Sequence, residues 1–510
     1  MYIRTVLFEV VQFFEIEVIG NMKKRIQMSK IIPIVLASII IVFTIYVSNR
    51  IYHASFEQYI YNLLKSTGTS SSFLSYSIFY AIIGVIVLCP LFLLPTIDFG
   101  KVISINLKRK NKKVQLFPIK NIKKYSTIIL ILAILYLGYG VGFFEYLNNS
   151  LKDTNLFKKY YVDASSTSIE FPDEKKNLIY IFLESTEISN MSKENGGVFD
   201  TSTIPNLERV ALENLNFSNC SLLGGAQESY GTGWTASAMI AQTAGIPLKM
   251  KASDISSDST SFTNIITLGD ILSDNGYDNY LFMGSDSNFG GRDAYFRNHN
   301  YFINDYKSAI ENGKIPSDYH EWWGYEDSKL FTYAKEMLTE ISKNDKPFNF
   351  TMLTADTHFT DGYLDKSCNE VFDNNYANSF YCSDNMINDF LEWLKEQDFY
   401  EDTVIIISGD HLTMQENFYK DIDDNYVRTV YNAFINVLGN DINNKNRVFT
   451  TMDMFPTTLG ALGASIDGDR LGLGTNLFSD RKTIPEEIGL DNFNDELKKN
   501  SSYYYNYIRG

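Results

Sequence analysis

The sequence predicts an α/β protein with a mostly parallel central sheet, carried behind three N-terminal transmembrane helices. Three observations predict it: long uncharged apolar stretches before residue 147, short apolar segments alternating with helical patterns after residue 176, and a reversal of charge between the two parts. The 510 residues are 45% hydrophobic, enough for a membrane region and one large domain, because single cores stop growing near about 250–300 residues. The net charge of −16 hides a division, with +10 on residues 1–147 and −26 on residues 148–510. A basic cytoplasmic side joined to an acidic exported domain has that distribution. The acidic domain also excludes nucleic acid as a partner, since phosphate backbones need a basic surface.

Residues 31–48, 73–97 and 125–144 contain no Asp, Glu, Lys or Arg and have the length of about 17–25 residues that a bilayer crossing needs. Lys and Arg are retained on the cytoplasmic side. Lys23, Lys24, Arg25 and Lys30 precede the first stretch, and Lys101, Lys108, Arg109, Lys110, Lys112, Lys113, Lys120, Lys123 and Lys124 lie between the second and third. Both segments are therefore expected inside, with residues 1–30 as a cytoplasmic N-terminus and 31–147 as the membrane region. The segment 49–72 carries only Arg50, Glu57 and Lys65 and is expected outside. The third span then runs outward and exports everything after it. Residues 1–21 are interrupted by Glu9, Glu15 and Glu17, and Met22 before Lys-Lys-Arg resembles a natural start. With no cleavage pattern, the first span is expected to remain as an anchor.

In the exported part, residues 148–176 are polar and aperiodic and are expected to be a linker. The domain proper is expected over 177–485, with a polar tail over 486–510. Residues 177–183 form a continuous apolar run ending in Glu184, the pattern of a strand buried on both faces of a parallel sheet. Similar runs occur at 279–284, 348–354, 403–408 and 433–438. Helical patterns separate them at 205–214, 235–243, 268–275, 327–342 and 378–397. Such alternation implies a parallel sheet covered on both faces, with ligands beyond the carboxyl ends of its strands. Three cysteines fall in this exported part, where disulfides can form. Cys368 with Cys382 is the simplest pair, being close in sequence and bracketing one loop-to-helix segment. Cys220 is then left over, though other pairings stay open.

The polar residues of interest stand at the expected strand ends. Glu184 closes the first strand, Asp356 and His358 follow the strand at 348, and Asp410 and His411 follow the strand at 403. Strand ends often carry Asp simply to start a turn. Three strands ending in carboxylates and imidazoles, in a chain with five His, point instead to a metal site at Glu184, Asp410 and His411. His53, His299 and His320 lie in loop or aromatic-rich stretches and are given packing or surface roles. A glycine-rich turn, Gly231-Thr-Gly-Trp-Thr235, runs into a helix of small residues. The first amides of a helix have no internal partner and favour phosphate oxygens. Alone, Thr235 reads as an ordinary helix cap; beside a divalent cation its hydroxyl becomes a nucleophile. The oxygen-rich ligand set suits manganese, magnesium or zinc.

Taken in order, Asn177 to Ser185, Gly231 to Leu248 (GTGWTASAMIAQTAGIPL), Thr354 to Gly362 (TADTHFTDG), Tyr381 to Asp384 (YCSD) and Ser408 to His411 (SGDH) resemble the phosphoglycerol transferases of the alkaline phosphatase superfamily. That group includes the osmoregulated periplasmic glucan phosphoglycerol transferases and, more distantly, lipoteichoic acid synthase. The resemblance implies a sulfatase-like α/β sandwich and a manganese-type metal held by Glu184, Thr235, Asp410 and His411. It also implies a bacterial cytoplasmic membrane location with the catalytic domain outside. Thr235 would attack the phosphorus of phosphatidylglycerol, release diacylglycerol, and pass phosphoglycerol to a glycan or polymer hydroxyl. By the same resemblance, His358 would contact phosphate or move a proton, Asp356 would lie with it at the substrate, and Arg292 would bind phosphate. The segments around Asp453 and Gly472 are expected to be structural. The chain departs from lipoteichoic acid synthase at Gly290-Gly291-Arg292. It also lacks the C/S-x-P-x-R motif that sulfatases need for formylglycine, which argues against sulfate ester hydrolysis. The alternatives are a phosphoethanolamine transferase using phosphatidylethanolamine, and an inactive glycan-binding surface protein.

Overall fold

The computed structural model describes residues 31–50, 55–65, 71–97, 103–107, 112–250, 262–437 and 442–509. His53, the basic residues before 31, and Lys101, Lys108, Arg109 and Lys110 lie outside the described residues. The chain divides into two compact units, 1–46 with 76–137 and 47–75 with 138–510.

The first unit is built from α1 (Ile32–Arg50), most of α3 (Ser71–Leu93) and α4 (Ile122–Gly140). Among the described residues, two helices are long and apolar enough to cross a membrane, Ile78–Thr96 and Ile122–Gly140; the apolar helix Ile32–Ser48 is shorter. Ile82, Ile86, Val87 and Leu91 on α3 and Ile131, Leu132, Ile134 and Leu135 on α4 are exposed. Apolar surface of that extent is unfavourable in water and natural in lipid. Strands Ile103–Leu107 and Lys112–Phe117 pair antiparallel between the two helices.

The second unit is organised by a six-stranded sheet. Its strands are β1 (Asn177–Leu183), β2 (Asp278–Met283), β3 (Tyr301–Asn304), β4 (Phe348–Leu353), β5 (Thr403–Gly409) and β6 (Asn432–Ile435). The order is β3-β2-β4-β1-β5-β6, all pairs parallel except β5 with β6. Alternation along each strand divides the core in two. Leu178, Tyr180, Phe182, Val404 and Ile406 join the cluster that holds Met239 and Ile240 of α6 (Thr235–Ala244). Ile179, Ile181, Leu183, Ile405 and Ile407 face the opposite cluster. There they meet α5 (Pro205–Glu213), α8 (Asp327–Ile341) and α9 (Asn375–Lys395), which bury Leu207, Leu330, Phe331 and Phe390. The mostly parallel α/β architecture read from the sequence is the one observed. The short edge strand β3 carried no clear apolar run and was not foreseen.

Three peripheral segments differ from their sequence reading. Residues 148–176 are packed down, with Leu156 and Phe157 buried and Ile169–Glu170 paired to Ser465–Ile466. The tail 486–510 forms the helix Leu490–Lys498 and buries Phe493, Leu497, Tyr504 and Ile508. Its apolar residues are few but fall on one helical face, so composition hid them. The segment 49–72 contains α2 (Phe56–Lys65), which belongs to the second unit. Cys368 and Cys382 are bridged, with Cα atoms 5.7 Å apart, while Cys220 and Cys89 are free. Asp384 accepts from the amides of Asn206 and Leu207 at 2.9 and 2.8 Å, fixing the start of α5 to α9.

Candidate active site

Because β1 and β5 are parallel, their carboxyl ends point one way, and register decides what meets there. Leu183 pairs with Gly409, so Glu184 and Asp410 leave the sheet side by side. Ser185 turns the chain at φ 55, a left-handed conformation that costs a non-glycine residue on the order of 1 kcal/mol. In return its amide donates to Asp410 Oδ1 and its hydroxyl to Glu184 Oε1, each at 2.8 Å. The His411 amide also donates to Asp410 Oδ1, at 2.7 Å.

Glu184, Asp410 and His411 are buried, and one ligand atom from each lies within 4.8 Å of the others. Burial and the neighbouring Glu184 push the Asp410 carboxyl up to about 8. Burial works against charge on Glu184 too, but the imidazoles of His358 and His411 outweigh it and hold that carboxyl below its usual range. Burial lowers the His411 pKa, yet Asp410 and Glu184 more than reverse this and push it up to about 9. Asp410 Oδ2 has no hydrogen-bond partner. Asp410 Oδ2 lies 3.3 Å from His411 Nε2, two carboxylates buried this close are costly to charge together without a cation, and a divalent cation fits this donor set of oxygens and one imidazole. His411 Nδ1 lies 2.8 Å from the Leu412 carbonyl, which fixes Nδ1 as the donor and leaves Nε2 as the ligand nitrogen.

Thr235 opens α6. The cap is made by Trp234, whose extended backbone precedes the helix and whose amide and carbonyl both bond Ser237 Oγ, at 3.2 and 2.8 Å. The Thr235 hydroxyl is thereby spared a capping role. It donates to Glu184 Oε2 at 3.1 Å and lies 3.4 Å from His411 Nε2.

A cavity of about 140 Å³ opens over this hydroxyl, lined by Glu184, Thr235, Arg292, His320, Trp323 and His358 among others. Arg292 begins α7 (Arg292–Asn298) and is 5% exposed. Its guanidinium donates to the carbonyls of Phe289 and Asp286 and to Ser285 Oγ at 2.9–3.1 Å. No carboxylate forms an ion pair with it among the described residues, so the guanidinium is a buried cation ready for an anion. His358 packs 4.5 Å from Trp323 between ring centroids, and its Nδ1 is 2.5 Å from the Phe359 carbonyl. Burial lowers its pKa, which favours the neutral imidazole. A second, larger cavity of about 600 Å³, lined by Trp234, Glu228 and Asp491 among others, lies beside the same turn and does not include Thr235.

The structure thus brings Glu184, Thr235, Asp410, His411, His358 and Arg292 to one place. It does not bring Asp356 there. Asp356 is absent from the cavity lining; its amide donates to Asp327 Oδ2 at 2.9 Å and its Oδ2 accepts from the Asp327 amide at 3.1 Å. It pins the loop after β4 to the start of α8, a correction to its expected place at the substrate. Asp453 accepts from the amides of Thr450 and Thr475, each at 2.7 Å, which ties two loops together. His299 lies 2.7 Å from Asp270 in the interior. His320, given a packing or surface role from the sequence, lines the cavity instead, and Trp323, Ser285 and Asp286 join it there without a sequence reading. The strand-end position of Ser285 and Asp286, just past β2, is the signal that marks them.

A parallel α/β sheet whose strand ends gather two carboxylates, an imidazole and a helix-starting hydroxyl defines a sulfatase-like fold of the alkaline phosphatase superfamily. The chain belongs to the sulfatase family, which residues 176–464 match. Phosphoglycerol transferase I of Escherichia coli O6:K15:H31 (strain 536) is 31% identical over 374 residues, covering 70% of this chain and 46% of that protein. Phosphoglycerol transferase I of Shigella flexneri matches to the same extent. The chain spans about half the length of these relatives. In fold it is similar to the integral membrane protein lipooligosaccharide phosphoethanolamine transferase A of Neisseria meningitidis. That likeness has a TM-score of 0.50 at 14% identity and covers 87% of this chain and 85% of that one.

Proposed function

We propose that the protein is a membrane-anchored, metal-dependent phosphotransferase that moves phosphoglycerol from phosphatidylglycerol to a hydroxyl of an extracytoplasmic glycan or polymer. The observation that carries this reading is the Thr235 hydroxyl, 3.1 Å from Glu184, at a helix N-terminus and in one cavity with the buried guanidinium of Arg292, which forms no ion pair among the described residues. A divalent cation, in our reading manganese, would be held by Glu184, Asp410 and His411 with Thr235 beside them, and would lower the hydroxyl pKa and neutralise phosphate charge.

The chain's own residues then divide the work. Arg292 and the first amides of α6 hold the phosphate oxygens. The bond from phosphorus to Thr235 Oγ forms as the bond to the diacylglycerol oxygen breaks. The hydroxyl proton leaves along its hydrogen bond to Glu184 and passes on to water, and the departing alkoxide takes one proton back from water, so none is gained or lost. In the second half an acceptor hydroxyl gives its proton to the neutral His358 and displaces Thr235 from phosphorus, and His358 hands that proton on to the departing Thr235 oxygen, which restores both groups. The apolar helices α3 and α4 supply the anchor, and the basic residues flanking them support a cytoplasmic loop with the second unit outside.

The test is to incubate the full chain with manganese and phosphatidylglycerol labelled in its headgroup. Diacylglycerol release and a labelled protein adduct are expected, both lost in Thr235→Ala. Release undiminished in that variant would sink the reading. Label transferred only from phosphatidylethanolamine would replace the donor.

A further inference from the structure

Helix α2 lies in sequence between the first two apolar helices, yet it is part of the second unit. Its side chains at spacing i, i+1, i+4 explain how it is held there. Glu57 and Gln58 are 4% and 5% exposed, and Tyr61 is 1% exposed. Glu57 accepts from the amide of Met250 at 3.4 Å, in the segment that follows α6. Phe56 packs against Phe143 and Tyr146 with ring centroids 5.2 and 5.0 Å apart. These contacts fix the helix from two sides and set Tyr61 against the turn that precedes Arg292.

Tyr61 makes two contacts there. Its hydroxyl donates to the carbonyl of Gly290, and its ring lies 5.8 Å from that of Trp234, the residue before Thr235. Gly290 and Gly291 adopt φ 70 and 65, which only glycine takes without strain, and the turn they make delivers Arg292 to the start of α7. That turn is tightly confined. A Cβ placed on Gly290 would stand 3.1 Å from Ala236 Cβ in the first turn of α6 and 3.4 Å from the Tyr61 hydroxyl. The Gly290 turn is therefore sandwiched between the helix that carries Thr235 and the hydroxyl of Tyr61.

We infer that Tyr61, from the segment between the first two apolar helices, is a positioning residue of the active site, clamping the Gly290–Arg292 turn against the Thr235 helix so that the guanidinium faces the donor phosphate. The inference rests on the reading of Arg292 as the phosphate-binding residue. It makes α2 a component of the site, one that an exported domain cut at residue 148 would lack. Removing the Tyr61 hydroxyl leaves the Gly290 carbonyl buried without this donor and frees the turn. The effect should appear in phosphate binding through Arg292, and the attack of Thr235 should be preserved.

The experiment compares the wild-type full chain, Tyr61→Phe, Arg292→Ala and the double variant in phosphatidylglycerol vesicles with manganese. Binding of inorganic phosphate is measured on the same four proteins. The loss of one hydrogen bond predicts a KM about fivefold higher in Tyr61→Phe with kcat within twofold. Phosphate binding should weaken by a similar factor, and adding Tyr61→Phe to Arg292→Ala should change nothing further. Tyr61→Phe effects that persist undiminished in the Arg292→Ala background overturn the inference, as does a fall in kcat with KM unmoved or a variant identical to wild type. A wild-type chain that releases no diacylglycerol rejects the donor reading instead, and the phosphate-binding series then decides the role of Tyr61 by itself.

Discussion

Glu184 Oε2 accepts the Thr235 hydroxyl at 3.1 Å, joining the end of a central strand to the first turn of the helix packed across it. The cap of that helix is made by Trp234 and Ser237. Thr235→Ala therefore removes the proposed reacting oxygen without removing a cap. Activity should fall by about three orders of magnitude or more, as for removal of a covalent nucleophile. Unfolding free energy should stay within about 0.5 kcal/mol of wild type. Turnover and denaturant midpoints measured on one preparation check both halves, and a loss near the 1 kcal/mol typical of a deleted cap would return Thr235 to that role.

The cluster of Glu184, Asp410 and His411 should be stabilised by a cation. Manganese at a hundredfold excess over its dissociation constant adds about 2.7 kcal/mol, a rise in Tm of roughly 2–4 °C or more for a domain of this size. A chelator should reverse it, and Asp410→Asn should abolish it. Scanning calorimetry with and without manganese decides the matter.

Asp356 and Asp327 predict an unusual pH dependence of stability. Burial pushes Asp327 up to about 7, and burial together with Asp327 pushes Asp356 well above the usual carboxylate range. Carboxyls raised on folding bind protons more tightly folded than unfolded, so their contribution is fully present below about pH 4 and lost as pH rises through about 7. Asp356→Asn should flatten that decline. Urea midpoints between pH 5 and pH 8, compared with wild type, measure the slope, and an unchanged slope would exclude the pair as its source.

Asp384 holds two amides at the start of α5. Asp384→Ala leaves them buried without a partner and should cost about 2 kcal/mol. Chemical denaturation tests this, with no change expected in KM for the proposed donor phosphatidylglycerol, because the residue lies outside both cavities.

The Cys368–Cys382 bridge closes a segment with a sequence separation of 14. Loop closure of that size is worth about 3 kcal/mol. Replacing both cysteines by Ala should lower stability by about 2–3 kcal/mol and leave Cys220 as the remaining thiol of the second unit. Thiol counting before and after denaturation verifies the pairing independently.

How much of this was legible in the sequence follows from the range of each interaction. Alternation of apolar strands with helical patterns fixed the parallel α/β class, and five strands and five helices fall within a few residues of their expected bounds, because periodicity is a local property. Glu184, Asp410 and His411 were legible as strand-end residues for the same reason. Adjacency was another matter. Glu184 meets Asp410 only because Leu183 pairs with Gly409, and interstrand register is set by packing between segments more than 200 residues apart. Asp356 has the same strand-end signature, but its backbone turns it toward Asp327 and away from the cavity. Tyr61 and His320 carried no local signal at all. Their places beside Gly290 and Tyr306 are decided by which segments dock on the sheet, and that depends on contacts between surfaces that no single stretch of sequence contains.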